Sequence, residues 1–214
     1  MNQYKTMTDE YLRKIYVPDV YQKSIFSIDY QQLKDDGIKL ISFDIDDTIV
    51  PIEKQKPTKA AITLMEKLKL MGFEIYLVSN ANDDRVKLFG DVLSVSCVSR
   101  ASKPHIDAFE QIRQMYIEAN NADISSAEMA HVGNSMIKDV ATGNTYGVTT
   151  CLVRDVGIIP KTGRKLNPFK TEGEKLRKVL LERGIWRKHH LKAPNDQYYQ
   201  LEDTPAAQKA QVNT

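Results

Sequence analysis

Between Ile38 and Val153 the chain alternates short, β-branched apolar runs with stretches whose apolar residues recur at helical spacing. No other feature restricts the fold as tightly, because repeated strand–helix units favour a parallel sheet covered by helices. Ile38–Ile41 reads as the first strand of this series. Ala60–Met71 reads as a helix stopped by Gly72, and Phe73–Val78 as a buried strand. A helix over Asp83–Phe89, a strand over Val92–Val98 and a helix over Pro104–Ala119 follow. In that last helix Ile106, Phe109, Ile112, Met115 and Tyr116 share one side. Met129–Val132, Ile137–Thr145 and Val148–Val153 complete the series as strand, helix and strand. Right-handed crossovers put the C-terminal strand ends along one edge, where ligands bind in such sheets.

Polar groups stand at those ends. The run Phe43-Asp44-Ile45-Asp46-Asp47-Thr48 closes the first strand with aspartates spaced i, i+2. Asp44 can point into a site while Asp46, in the bend that follows, swings back toward it. Buried carboxylates need a counter-charge, and a divalent cation such as Mg²⁺ is a natural partner. Ser79-Asn80 follows the strand ending at Val78, Lys103-Pro104 opens a helix, and Gly133-Asn134 precedes Asp139 by five residues from Asn134. Each has a plainer reading taken alone. Ser79-Asn80 suits a turn, Lys103 a solvated helix start, and Gly133-Asn134-Ser135 a turn with an N-cap. His131 reads as a packed histidine rather than a ligand, and His105 as a first-turn surface residue.

Taken in order, the four groups resemble the motifs of the haloacid dehalogenase (HAD) superfamily of phosphohydrolases: a DxD, a Ser or Thr after the second strand, a Lys, and a terminal acidic pair. The resemblance spans about Ile38 to Val153. Val17-Pro18-Asp19-Val20-Tyr21, Leu33 to Lys39, Val78-Ser79-Asn80, Arg85-Val86-Lys87-Leu88-Phe89 and Lys103-Pro104 are further similar to YqeG-type HAD-IIIA phosphatases. Those in turn resemble phosphatidylglycerophosphate phosphatases. The fold so implied is a Rossmann-like α/β core with a parallel sheet and no large cap. The spacings leave room for one helix and one strand between successive motifs, so a cap domain does not fit.

The resemblance also implies roles. Asp44 is the nucleophile that forms an aspartyl-phosphate. Asp46 is the general acid and base, and Lys103 is a fixed cation beside the transferring group. Thr48, Ser79, Asn80 and Lys103 bind substrate. Asp44, Asp46 (through its carbonyl), Asn134 and Asp139 hold Mg²⁺. One departure stands out, because the pattern has Asp where this chain has Asn134, an oxygen donor without the charge. The dehalogenase branch replaces the second aspartate of the first motif, whereas Asp46 is retained here, which favours a phosphatase. The expected activity is a Mg²⁺-dependent phosphomonoesterase, with phosphatidylglycerophosphate as the substrate the resemblance implies. The alternatives are a soluble nucleotide or sugar phosphatase, and a HAD-scaffold binding or regulatory protein weakened by Asn134.

With 214 residues and a formal net charge of +2, composition suits one domain with appended segments. Residues 1–37 read as an N-terminal extension with a helix near Tyr30–Asp36, and 38–158 as the phosphatase core. Residues 159–192 read as a basic helical segment, helical over Glu174–Arg183, and 193–214 as a polar, disordered tail. Basic residues from Lys161 to Lys192 face only Glu172, Glu174 and Glu182. This suggests peripheral contact of 161–192 with anionic lipid, Trp186 lying at the interface or packing on the domain. Nucleic acid is the competing polyanion. Cys97 and Cys151 fit neither a disulfide framework nor a metal spacing, and suggest a reduced, cytoplasmic protein. The first residues lack the apolar core of a signal peptide, and no apolar run is long enough to span a membrane.

Overall fold

The computed structural model describes residues 2–154, 156 and 168–186. In chain order they form α1 (Asp9–Tyr16), β1 (Val20–Gln22), α2 (Tyr30–Asp35), β2 (Leu40–Phe43), α3 (Lys59–Leu70), β3 (Glu74–Val78) and α4 (Asp83–Leu93). β4 (Ser96–Val98), α5 (Asp107–Asn120), β5 (Met129–Gly133), α6 (Ala141–Tyr146), β6 (Thr149–Val153) and α7 (Pro168–Glu182) follow. A π-helical turn, Met136–Val140, leads into α6. The six strands form one sheet in the order β1-β6-β5-β2-β3-β4, and every pairing is parallel.

A parallel sheet is covered on both faces, and β2 and β5 are buried along their whole length. On one face Ile41, Phe43, Ile75 and Leu77 meet Ala61, Leu64 and Leu68 of α3 and Val86 and Phe89 of α4. On the other, Leu40, Tyr76 and Met129 meet Phe109 and Ile112 of α5. A third cluster joins the two ends of the chain. Tyr4, Leu12 and Tyr21 pack with Leu152 and with Leu176, Val179, Leu180 and Trp186.

The N-terminal extension is therefore part of the sheet. β1 pairs with β6, Val20 opposite Cys151, because Asp19 accepts from both the backbone N and the hydroxyl of Thr150. Trp186 is buried edge-on against Tyr21, the ring centres 5.3 Å apart, which removes it from any lipid-facing role. α4 runs on to Leu93, whose buried side chain holds its last turn in the core, and ends at Ser94 in the left-handed region (φ 52°). This shortens the strand expected over Val92–Val98. α5 starts at Asp107 rather than Pro104, because the backbone from Arg100 to Lys103 is spent on a loop with positive φ at Arg100 and Ser102. α7 begins at Pro168, earlier than expected. The tail 193–214, and most of the basic residues between Lys161 and Lys192, lie outside the described residues.

Candidate active site

β2 delivers Asp44 to the edge of the sheet. Its backbone N–H donates to Val132 O at 2.9 Å, extending the ladder by one residue beyond Phe43. The chain then folds into a tight loop. Thr48 and Ile49 N–H groups turn back on Ile45 O, and Asp47 adopts φ 61°. The loop places the Thr48 hydroxyl 3.1 Å from Asp44 Oδ2, to which it donates. Thr48, expected to meet substrate, is fully buried and orients the Asp44 carboxylate instead.

Lys103 is the centre of the cluster. Its side chain is 1% exposed, and its ammonium donates to Asp44 Oδ1 (2.9 Å), Asp139 Oδ1 (2.6 Å) and Val78 O (2.8 Å). The three donor hydrogens of a lysine are thereby all used. The Lys103 backbone is fixed by Asn80, whose side-chain oxygen accepts from Lys103 N (2.8 Å) and whose amide donates to Lys103 O (3.1 Å). Asn80 thus holds the lysine loop. Ser79 is buried after β3, and its Oγ accepts the Ala81 N–H at 3.3 Å, the local turn chemistry of the plainer reading.

Asp139 comes from the π-helical turn, a geometry frequent at functional sites. Ser135 N–H donates to its Oδ2 at 2.9 Å. A Cβ at position 133 would overlap the Asp139 carboxylate, so only glycine permits this approach. Behind it, His131 Nε2 lies 3.3 Å from Asp139 Oδ1 and Nδ1 lies 2.8 Å from Ser42 Oγ. Burial pulls His131 below its ordinary value, while the Asp139 carboxylate opposes that shift. Asn134, half-buried beside Gly133, has no hydrogen bond among the described residues.

Asp46 is held by Arg85. Its Oδ1 accepts from Arg85 Nε at 2.7 Å, and Arg85 Nη2 sits 2.6 Å from the same oxygen as an ion pair rather than an aligned hydrogen bond. Sequence reasoning placed Arg85 in a family segment but gave it no role. Neither that pair nor the His131–Asp139 contact has a local signature: a crossover brings Arg85 to Asp46, and the turn after β5 folds Asp139 back onto His131. Lys138 was also passed over. It is half-buried, and burial lowers its pKa against the opposing charges of Asp139 and Asp44.

Charge in the cluster is uneven. Burial pushes Asp44 up to about 6, with Lys103 opposing and the charges of Asp139 and Asp46 adding to the rise. Burial acts the same way on Asp139, but Lys103 and His131 outweigh it and hold that carboxyl below its usual range. Burial works against the Lys103 ammonium, and the two aspartates more than compensate. One ammonium thus fails to offset the negative charge gathered here. The candidate donors for Mg²⁺ are the Asp44 and Asp139 carboxylates, the Asp46 carbonyl and the Asn134 amide oxygen. All are hard oxygens of the kind this ion takes, so the donor set fits it. Among the described residues no three His, Cys, Asp or Glu side chains gather into a metal-holding group.

A parallel α/β sheet with an aspartate ending β2, a lysine after β4 and an aspartate after β5 is the framework of a HAD-type phosphatase. A model of the family described as mitochondrial PGP phosphatase matches residues 3–158. The probable phosphatase YqeG of Bacillus subtilis (strain 168) is 31% identical over 159 residues, covering 72% of this chain and 89% of that protein. The chain belongs to this family of HAD-like phosphatases. Similar solved structures include the putative HAD-hydrolase YfnB from Bacillus subtilis bound to magnesium (TM-score 0.46, 15% identity, 67% of this chain and 99% of that one). Another is a putative 3-deoxy-D-manno-octulosonate 8-phosphate phosphatase from Vibrio cholerae (TM-score 0.39, 14% identity, 74% of this chain and 93% of that one).

Proposed function

We propose that this chain is a Mg²⁺-dependent HAD-IIIA phosphomonoesterase that works through an aspartyl-phosphate on Asp44, with phosphatidylglycerophosphate as its physiological substrate. The observation that carries the reading is the buried Lys103 ammonium joined at once to Asp44 and Asp139. An anionic nucleophile and an anionic phosphate must meet at this edge, and Lys103 is a fixed charge that lowers the cost of their approach. The Asp44 carboxylate attacks phosphorus, and the bond to the leaving oxygen breaks with its electron pair. That oxygen takes a proton from Asp46. Water then attacks the phosphoryl group, returns a proton to Asp46 and frees phosphate and the Asp44 carboxylate. Thr48 and Asn80 orient Asp44 and Lys103, and Ser79 and backbone N–H groups receive phosphoryl oxygens. Asp44, Asp139, Asn134 and the Asp46 carbonyl would hold Mg²⁺. When bound, the ion supplies charge neutralisation between nucleophile and phosphate.

The loop 44–58, α3 and a short turn are all that lie between β2 and β3, and only α4 and its flanking turns separate β3 from β4. With no cap there, the site edge stays open to a bulky headgroup. Support for a lipid comes from the family description, and the excess of Lys and Arg over residues 161–192 of the sequence is the ground for contact with anionic membrane. Among the described residues no helix is long and apolar enough to cross a membrane. The test is phosphate release with and without Mg²⁺, first from 4-nitrophenyl phosphate, then from phosphatidylglycerophosphate, nucleotide and sugar phosphates. Wild type should act best on the lipid, and Asp44→Asn should keep its circular dichroism and lose turnover. A preference for nucleotides or sugars would replace the lipid assignment, and full activity in Asp44→Asn would remove the mechanism.

A further inference from the structure

Arg85 makes four contacts that no step above uses. It is the third residue of α4, and its side chain is 15% exposed. Nε and Nη2 both address Asp46 Oδ1. Nη1 donates to Lys54 O at 3.0 Å, in the loop between β2 and α3. The guanidinium carbon stands 5.0 Å over the ring of Phe89, one helical turn on, and Phe89 is fully buried. A planar fork stacked on a core ring has little freedom, so the groups it holds are fixed as well. Both contacts to Asp46 fall on Oδ1. Among the described residues nothing bonds Oδ2.

From this geometry we infer that Arg85 is a positioning residue for proton transfer. It anchors Oδ1 of Asp46, leaves Oδ2 as the oxygen that exchanges a proton with the leaving group and with water, and ties the 51–57 loop to the same point. This rests on the phosphatase reading for the role of Asp46, but not for the tie to the loop. With Oδ1 held by a fixed guanidinium, fewer orientations are open to Oδ2. A lysine at this position brings one ammonium without the rigid planar fork, so it holds the carboxyl and the loop less firmly.

The experiment uses two esters of nearly equal size, 4-nitrophenyl phosphate and 4-nitrobenzyl phosphate. The first expels a stabilised phenolate and has little need of an acid. The second expels an alkoxide and must be protonated. In Arg85→Met, kcat/KM should fall about 10²-fold on the benzyl ester, the scale of a lost general acid, and little on the phenyl ester. Asp46→Asn should show the same selectivity, and adding Arg85→Met to it should cost nothing further. Arg85→Lys should lie between wild type and Arg85→Met, and carries the comparison if Arg85→Met does not fold. An equal loss on both esters, or losses that add in the double variant, would overturn the positioning role in favour of a structural one. Hydrogen exchange is the arm that needs no activity. Amides of residues 52–56 should exchange faster in Arg85→Met, and unchanged exchange overturns the loop tie. If wild type hydrolyses neither ester nor any phosphate of the panel above, the phosphatase reading and the proton-transfer role fall together, and the exchange result decides the loop tie.

Discussion

Asn80 and Lys103, 23 residues apart in sequence, bond each other through both main-chain polar groups of the lysine: Lys103 N–H to the Asn80 side-chain oxygen, and the Asn80 amide back to Lys103 O. The ends of β3 and of the loop after β4 are thereby locked in register. That lock holds a buried ammonium within reach of two carboxylates and the last carbonyl of β3.

Removing the ammonium should expose what it offsets. Lys103→Met leaves Asp44 and Asp139 buried without a shared cation, a loss of about 3–5 kcal/mol for a broken buried pair. Without Lys103 the folded-state pKa of Asp44 rises further above its unfolded value. The protonated form is then favoured on folding, so the deficit should be smaller at pH 5 than at pH 8. Adding Asp44→Asn should restore part of the stability at pH 8. Urea unfolding of the single and double variants at both pH values measures this. A deficit independent of pH and of Asp44→Asn would mean that the lysine acts only through packing.

Asp44, pushed up to about 6 by burial, must be ionised to attack. Activity should therefore fall as pH drops through about 6, and the acid limb should move to lower pH as Mg²⁺ is raised, since a cation favours the carboxylate. The pH profile of kcat/KM, expressed per substrate dianion at low and high Mg²⁺, checks this. A limb that ignores Mg²⁺ would separate Asp44 from the ion.

Asn134 offers a neutral oxygen where the family pattern offers a carboxylate. Mg²⁺ favours charged oxygens and gives up water reluctantly. Asn134→Asp should lower the Mg²⁺ concentration for half-maximal activity, and calorimetric titration of the free protein should show tighter binding. Wild type should still turn over in millimolar-excess Mg²⁺. An unchanged Mg²⁺ dependence would place residue 134 away from the metal.

Trp186 closes the third cluster against Tyr21. Truncating a buried aromatic of this size costs about 3–5 kcal/mol. Trp186→Ala should lower the denaturation midpoint and leave anionic-vesicle flotation unchanged. Lost flotation with unchanged stability would return the tryptophan to a lipid-facing role.

The sheet from β2 to β6 was legible because each strand is a β-branched run punctuated by glycine or polar turn residues, and each helix keeps its apolar spacing. Asp44, Lys103 and Asp139 were legible as motif residues at strand ends. β1 was not, because three residues, Val20-Tyr21-Gln22, carry no periodicity, and their pairing depends on Asp19 finding Thr150. The grip of Arg85 on Asp46 and of His131 on Asp139 was hidden for a related reason. Helical register decides which way Arg85 points, and strand register sets His131 beside Ser42. The end of α4 at Leu93 also escaped, since Val92 and Leu93 suit a strand as well as a helix until the core decides.

β1 reaches its partner across a long stretch of chain, Asp19 and Thr150 being separated by 131 residues. During synthesis Leu12 and Tyr21 emerge early and have nothing to pack on until β6 and then α7 have left the ribosome. Contacts this distant are slow to form, and apolar surface waiting for them invites association with other chains. The sheet edge that completes last thus includes a strand made long before its partner. A truncation before α7 should leave a chain that sticks through α1 and β1, far from the cut.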